Sequence, residues 1–358
     1  MQAHGVGEID PDVAECAALA HDLGHPPFGH VGEQMLNRLA CDAGIEGFEG
    51  NAQSFRIITK LACRTNQPGL DLTRATRQAV LKYPWHRDQS VSHKNEKWGA
   101  YKSEAVDLEQ ARALPHGTDP DGQSPEAAIM DVADDLAYAL HDFDDFYRAG
   151  MIDPRQLFGK AVYDFLVEAG DRVARIHNAP YDPGKWERAI ERVQALFADP
   201  DIAPLVEPYS GQRHQRACLH ILTSRQLTAY VEAVVLEPSA AVQIRLEDDT
   251  WHEVNVWKQL TRQYVIRRPD IATIQRGQQR LLQDLFEAMS LWLKEDADRL
   301  PTELTETIQA EAADPDVSFN ESRPVIDYIA GLTETQAVAL HADLTGLGQR
   351  SLLGTFIT

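Results

Sequence analysis

The segment from Ala20 to Glu33 concentrates ionisable side chains whose types suit metal and phosphate chemistry. It reads AHDLGHPPFGHVGE, and from His21 onwards it holds three histidines and two carboxylates within thirteen residues. The glycines and prolines between them predict a sharp turn. Imidazole nitrogens and carboxylate oxygens are common ligands of divalent metals. His21 and the adjacent Asp22 could therefore reach one cation across the turn.

His30 and Glu33 are separated by three positions at the predicted start of the next helix. Side chains at this spacing share a helix face, so the carboxylate can orient the imidazole. A lone His-Asp pair is more often structural than ligating. Five ionisable groups on one turn favour a site instead.

A second candidate lies between residues 129 and 145, which read IMDVADDLAYALHDFDD. At 3.6 residues per turn, one helical stripe collects four polar side chains: Asp134, Tyr138, His141 and Asp142. An acidic helix face is usually solvated. The tyrosine and the histidine among the carboxylates favour a polar cavity.

Helices must position both groups, because apolar residues recur at spacings of three and four along most of the chain. Asp10-Pro11 predicts a helix start, Gly24 and Pro26-Pro27 end that helix, and a second helix begins near His30. Further helices are predicted around 52–64, 70–82, 125–148, 157–176, 184–197, 215–234, 256–267 and 278–295.

Strand character is confined to Val242, Ile244 and Leu246, followed after a turn by Val254 and Val256. The sequence therefore predicts an all-α fold with one small β-hairpin formed by these two arms.

Composition limits the function. The chain has 358 residues, 43% hydrophobic and 25% charged, which is typical of a folded globular protein. Lys and Arg total 34 against 55 Asp and Glu, and the resulting net charge of −21 makes nucleic-acid binding unfavourable without excluding it. A small anionic substrate would need a metal ion or a local cluster of cationic side chains.

Targeting and redox signals are lacking. No apolar run reaches the ~20 residues that span a bilayer, and no signal peptide is recognisable, so we expect a cytoplasmic protein without membrane contact. Cys16, Cys41, Cys63 and Cys218 form no CxxC pair, and we expect reduced packing residues.

Taken with further motifs, the chain resembles the HD-domain deoxynucleoside triphosphate triphosphohydrolases. The resemblance covers seven blocks: AHDLGHPPFGHVGE (20–33), FEGNAQ (48–53), KYPW (82–85), KWGAYKSE (97–104), ADDLAY (133–138), YVI (264–266) and DYIAGLT (327–333). It implies an HD helical core in residues 1–160, incomplete at its N-terminus. Residues 161–358 would form a helical region that completes the pocket and makes oligomer contacts.

The family resemblance implies a reaction and a set of site residues. One divalent metal such as Mn²⁺ or Mg²⁺, held by His21, Asp22 and Asp134, would assist the hydrolysis of dGTP or a broader set of dNTPs to deoxynucleoside and inorganic triphosphate. His30, oriented by Glu33, would transfer a proton, assisted by His25.

Substrate binding is implied in the same way. Lys82, Tyr83 and Lys97 match positions that hold the triphosphate. Tyr138 and Asp142 match positions at the deoxyribose, and Asn51 and Gln53 would line the same pocket. The family also implies a homo-oligomer.

One departure from the family concerns the metal. Family members carry an additional metal-binding His on an Arg-containing helix before the His-Asp pair, whereas only twenty residues precede His21, and His4 lies beside Gly5 and Gly7. We expect the chain to lack the family's N-terminal segment, through a mis-called start, a cloned fragment or true loss. The metal would then have one ligand fewer.

Two alternative functions stay open at this point. One is another HD phosphohydrolase, a nucleotidase or phosphodiesterase acting on smaller phosphate esters. The other is a catalytically impaired nucleotide-binding scaffold, because the first metal-ligand histidine is missing.

Overall fold

The structure is a computed structural model that describes residues 9–113, 121–156, 159–176, 180–237, 243–265, 269–314 and 319–348. These residues form an all-α protein with one two-stranded antiparallel hairpin, as the sequence predicts. The α-helices, in chain order, are α1 (Pro11–Ala20), α2 (Gly29–Asp42), α3 (Gly50–Arg56), α4 (Arg74–Ala79), α5 (Ser92–Glu96), α6 (Ala105–Arg112), α7 (Pro125–Arg148), α8 (Lys160–Val173), α9 (Pro183–Leu196), α10 (Arg213–Glu232), α11 (Asp248–Val265), α12 (Pro269–Glu295), α13 (Thr302–Ala313), α14 (Ser322–Ala330) and α15 (Glu334–Leu344).

The hairpin pairs β1 (Val234–Glu237) with β2 (Gln243–Leu246). The first arm of the predicted hairpin is confirmed, because Ile244 and Leu246 lie in β2. The second predicted arm is wrong. Val254 and Val256 lie fully buried in α11. That helix begins at Asp248-Asp249, because acidic residues in a first turn favour the helix N-terminus. Val242 lies outside the described residues.

Helix boundaries follow the predictions to different degrees. The predicted 125–148 helix is α7, whereas the predicted 52–64 helix is α3 followed by a π-helical turn, Ile57–Leu61. Of the region 70–82, only Arg74–Ala79 is α-helical. Cys218 is buried as expected, but Cys41 and Cys63 are exposed, and all four cysteines are free.

The chain divides into two compact units. The first comprises residues 1–9 and 128–272, and the second comprises residues 10–127 and 273–358. The divisions therefore fall within α7 and within α12. The predicted functional regions, 1–160 and 161–358, stay a prediction.

The first unit packs α8, α9 and α11 around a core of aromatic side chains. Phe143 lies edge-on to Trp257, with ring centroids 4.8 Å apart. Trp186 is fully buried and donates its indole N–H to the Leu166 carbonyl at 2.7 Å. Burial of an aromatic ring with its polar group satisfied stabilises such a core.

The second unit has its own core, in which α2 packs against α14. Leu36 on α2 and Ile326 and Ile329 on α14 are fully buried. Leu282 on α12 contributes to the same cluster. Residues near the two ends of the chain therefore build the unit that holds the His-Asp turn.

Within the described residues, no helix is both long enough and apolar enough to cross a membrane.

Candidate active site

His21 and Asp22 lie at the C-terminal end of α1. Asp10 caps the start of this helix by accepting from the Asp12 and Val13 N–H groups. The His21 Nδ1 atom is 2.8 Å from the Ala18 carbonyl oxygen, which assigns the proton to Nδ1. Its Nε2 atom is 3.3 Å from Asp22 Oδ2. A ring held this way presents Nε2 as a metal ligand. His21 Nε2 and the Asp22 carboxylate are therefore suitable ligands for one divalent cation.

The turn that carries these two residues is fixed against α3. The Gly24 N–H donates to Ser54 Oγ at 2.9 Å, and the Ser54 hydroxyl donates to the His21 carbonyl at 2.5 Å. A Cβ atom at Gly24 would lie 2.2 Å from the Ser54 nitrogen and 2.4 Å from the Gly50 oxygen. Only glycine fits this close approach between two backbones.

The second half of the turn brings the remaining histidines together. Phe28 has a φ of 67°, and α2 begins directly after it without a side-chain cap. His25 Nδ1 lies 3.8 Å from Asp22 Oδ1. The His25 and His30 rings meet edge to face with centroids 5.3 Å apart. His21, His25 and His30 thus follow one another along a single turn.

His30 and Glu33 form a hydrogen-bonded pair on the first turn of α2. Nδ1 of His30 is 3.2 Å from Glu33 Oε2. The hydrogen bond to Glu33 raises the pKa of His30. Although burial opposes it, the hydrogen bond to His30 and the Lys97 charge lower the pKa of Glu33 to about 2. An ionised Glu33 therefore faces the imidazole at neutral pH.

Lys97 joins this pair to α3. Its Nζ atom donates to Glu33 Oε1 at 2.7 Å and to Glu49 Oε1 at 2.9 Å. Against the effect of burial, these two carboxylates raise the pKa of Lys97. Asn51 belongs to the same network, because its side-chain amide donates to Glu49 Oε1 at 2.9 Å.

The Gln53 side chain contacts a different group of residues from the Glu33–Lys97–Glu49 network. It is fully buried, and its side-chain amide donates to Asp327 Oδ1 at 3.0 Å. Asp327 also accepts from Arg56 Nε at 2.9 Å, and Arg56 further contacts Glu104 at 2.7 Å and Glu311. The structure thus places Gln53 in a buried ion cluster, and its role in substrate binding stays a prediction.

Lys82 and Tyr83 lie half-buried in the segment after α4. The Lys82 carbonyl accepts from the Gln123 side chain at 3.0 Å. The Tyr83 ring lies 5.7 Å from that of Trp85, whose indole N–H donates to the Lys97 carbonyl at 2.8 Å. This indole therefore ties the segment of Lys82 and Tyr83 to that of Lys97.

Asp134, Tyr138 and Asp142 lie on α7, in the part of that helix that belongs to the first unit. Carboxylate oxygens of Asp131, Asp134 and Asp135 lie within 4.8 Å of one another. Tyr138 hydrogen-bonds Asp142, and burial together with this carboxylate raises the pKa of Tyr138. The predicted helical stripe thus brings Tyr138 and Asp142 together, while the roles of all three residues stay predictions.

Sequence reasoning assigned no role to Glu49 or Ser54. Glu49 precedes Gly50-Asn51 and is the N-cap of α3, a position at which side-chain acceptors are common. Glutamate is not among the residues that usually mark an N-cap, so this cap was not apparent from the sequence. The contact of Glu49 with Lys97 and that of Ser54 with Gly24 join residues distant in the sequence, and no local pattern marks them.

Comparisons with known proteins show which family this chain belongs to. A family model described as the HD domain matches residues 1–139, and one described as a phosphohydrolase-associated domain matches residues 244–343. Three similar proteins share the name deoxyguanosinetriphosphate triphosphohydrolase-like protein.

The first relative, from Streptomyces coelicolor, is 35% identical, and the alignment covers 94% of this chain and 78% of the relative. One from Corynebacterium efficiens is 32% identical, with 96% of this chain and 81% of the relative covered. One from Bifidobacterium longum is 30% identical, with 94% and 71% covered.

Proposed function

Because the chain belongs to the HD-domain phosphohydrolase family that includes the deoxyguanosinetriphosphate triphosphohydrolase-like proteins, we propose that it hydrolyses dNTPs. The products would be a deoxynucleoside and inorganic triphosphate. The names of the relatives support a nucleoside triphosphate as substrate.

The single observation that carries this proposal is the arrangement of the turn between α1 and α2. A ligand pair, His21 and Asp22, and a hydrogen-bonded His30–Glu33 pair lie on the same short segment. A divalent ion, when bound, supplies Lewis-acid activation of the phosphate. Asp134 completes the proposed ligand set, on the strength of the family resemblance.

His30 is the proposed proton donor. Glu33 holds Nδ1, which leaves Nε2 on the other side of the ring for a proton transfer at the scissile phosphorus–oxygen bond. The raised pKa of His30 favours the imidazolium, the form that donates a proton to the leaving oxygen. His25, beside it, would contact phosphate oxygens.

Substrate selection is proposed for the residues implied by the family. Lys82, Tyr83 and Lys97 would hold the triphosphate. Tyr138 and Asp142 would contact the deoxyribose, where a ring packed on the 2′ carbon disfavours ribonucleotides. The resemblance also supports a cytoplasmic location and a homo-oligomer. Light scattering of the purified protein tests the oligomeric state.

The reaction is tested by incubating the protein with each of the four dNTPs and added Mn²⁺ or Mg²⁺. We expect inorganic triphosphate. His30→Gln should lower turnover at least about 100-fold, since a positioned proton donor typically contributes that much. His214→Gln, at an exposed histidine of α10, is the matched control. Release of phosphate or pyrophosphate without triphosphate would contradict the proposal. Thermal stabilisation by dNTPs without any product would indicate a binding scaffold.

A second candidate function follows from Lys97. Its ammonium already pairs with two carboxylates, which reduces the positive charge that a triphosphate requires. A phosphomonoester or phosphodiester needs fewer cationic contacts. Comparing kcat/KM for dGTP with that for deoxynucleoside monophosphates and a cyclic dinucleotide decides between the two.

A further inference from the structure

Glu49 is a buried carboxylate whose two oxygens accept four hydrogen bonds. Its Oε2 accepts from the Asn51 and Ala52 N–H groups at 2.7 and 3.0 Å. Its Oε1 accepts from Asn51 Nδ2 and from Lys97 Nζ, both at 2.9 Å. A proton on either oxygen would compete with the two donors that this oxygen already accepts from. Although burial raises the pKa of Glu49, these four contacts favour its ionised form.

The contacts of Glu49 lead outward to His30. Lys97 Nζ lies between Glu49 Oε1 and Glu33 Oε1, at 2.9 and 2.7 Å. Glu33 Oε2 then contacts His30 Nδ1 at 3.2 Å. The side chains at the two ends of this path differ in exposure, which is 1% for Glu49 and 65% for His30, while Lys97 and Glu33 between them are 38% and 12% exposed. Glu49 is thus held in the interior, and the His30 ring is open to solvent.

We propose that Glu49 is a positioning residue for the His30–Glu33 pair. It anchors the Lys97 ammonium, and Lys97 in turn holds one oxygen of Glu33 so that the other oxygen faces the imidazole. This inference rests on the proposed function, since it assigns Glu49 to the proton transfer carried out by His30.

Glu49 influences the charge near His30 through Lys97. The charged groups that act on His30 are Glu33 and Asp22, which raise its pKa, and Lys97, which lowers it, and the His25 ring lies beside it. The Lys97 ammonium is shared between Glu49 and Glu33. When a neutral side chain replaces Glu49, we expect the ammonium to pair with Glu33 alone, which weakens proton binding by His30.

Glu49→Gln tests the inference, because the amide keeps the size of the side chain and removes its charge. We expect kcat to fall about tenfold, as is typical for residues that orient a catalytic group, without a rise in KM. The alkaline limb of the kcat profile should move to lower pH. Asp182→Asn makes the same carboxylate-to-amide change at the N-cap of α9 and should leave both parameters unchanged.

A double variant separates positioning from simple helix capping. If Glu49 acts through Lys97, then Glu49→Gln combined with Lys97→Met should be no slower than Lys97→Met alone. Multiplication of the two single effects would overturn the inference. So would an unchanged kcat in Glu49→Gln accompanied only by a lower melting temperature.

An NMR titration distinguishes failure of this inference from failure of the proposed function. The His30 imidazole resonance is assigned by its loss in His30→Gln. In Glu49→Gln its midpoint should fall by roughly half a pH unit. This readout holds even if the wild-type protein releases no triphosphate, and an unchanged midpoint would refute the positioning role.

Discussion

At the residue scale, the candidate site is built from side chains whose charges alternate from the interior to the solvent. Glu49, Lys97, Glu33 and His30 each contact the next within 3.2 Å. A buried charge without a partner is costly, whereas each charge here has one. The same contacts that satisfy burial also orient the imidazole.

Glu33→Gln should remove a pH-dependent part of the stability. The pKa of Glu33 is lowered from 4.5 to about 2. A carboxyl group whose folded pKa is lowered stabilises the protein above its unfolded pKa, and this contribution disappears as the pH falls towards about 2. We expect the wild-type protein to exceed the variant by roughly 2–3 kcal/mol at pH 7. The difference should shrink between pH 4.5 and 2 in urea unfolding. A difference that is the same at pH 7 and pH 3 would contradict the ionic role of Glu33.

At the element scale, α3 connects the site to the rest of the second unit. This helix has seven residues, too few for stability in isolation. Its N-cap, Glu49, holds Lys97, and Ser54 in its middle holds the turn at Gly24. Arg56 at its end joins the buried ion cluster. Tertiary contacts at both ends must therefore stabilise α3, and they position the His-Asp turn at the same time.

Arg56→Met should destabilise the protein strongly. The change leaves Glu104, Glu311 and Asp327 without their shared cation, and breaking a buried ion pair in this way costs about 3–5 kcal/mol. The free energy of unfolding in urea is the measurement. Arg225→Met removes an exposed arginine that also contacts two aspartates, and it should change stability little. Equal effects of the two substitutions would refute the role of burial.

Gly24→Ala should disturb the turn between α1 and α2. The added methyl group would overlap backbone atoms of Ser54 and Gly50, which cannot rotate away. Such overpacking costs about 1–3 kcal/mol, and we expect weaker Mn²⁺ binding in calorimetry as well. Gly277→Ala on α12 is the matched control, because nothing lies within 4 Å of its added Cβ. There we expect a gain of about 0.5–1 kcal/mol and unchanged metal binding.

At the scale of the whole molecule, the second unit is discontinuous in sequence. Its two parts, residues 10–127 and 273–358, are separated by nearly all of the first unit. Leu36 on α2 belongs to one buried cluster with side chains of α12 and α14. Two of the three carboxylates that pair with Arg56, Glu311 and Asp327, lie beyond residue 300. The His-Asp turn therefore depends on the C-terminal part of the chain.

A fragment of residues 1–160 should fail to fold cooperatively. It lacks α8 to α15, so the apolar face of α2 would be exposed to water and Glu311 and Asp327 would be absent. Burial of apolar side chains is the main stabilising contribution to folding. Circular dichroism during urea titration should show a broad, weak transition for the fragment and a steeper loss of helix for the whole chain. A steep transition for the fragment would support an independent domain in this region.

Local patterns determined much of this protein. The span of α7, the turn after α1, the pairing of His30 with Glu33 and that of Tyr138 with Asp142 all depend on neighbours three or four positions apart or on the special geometry of glycine and proline. Such contacts are readable because the helix repeat brings those side chains together. Of the hairpin, only β2 was predicted from the sequence, because alternating apolar residues mark a strand locally. Its pairing with β1 depends on the fold and has no local pattern.

Tertiary structure alone decided which charges meet when they lie far apart in the sequence. Lys97 pairs with Glu33 and Glu49 across 64 and 48 residues, and Arg56 pairs with Asp327 across 271. No periodicity encodes these contacts. They form because packing of the second unit buries the charged groups, and a buried charge must have a partner of opposite sign nearby.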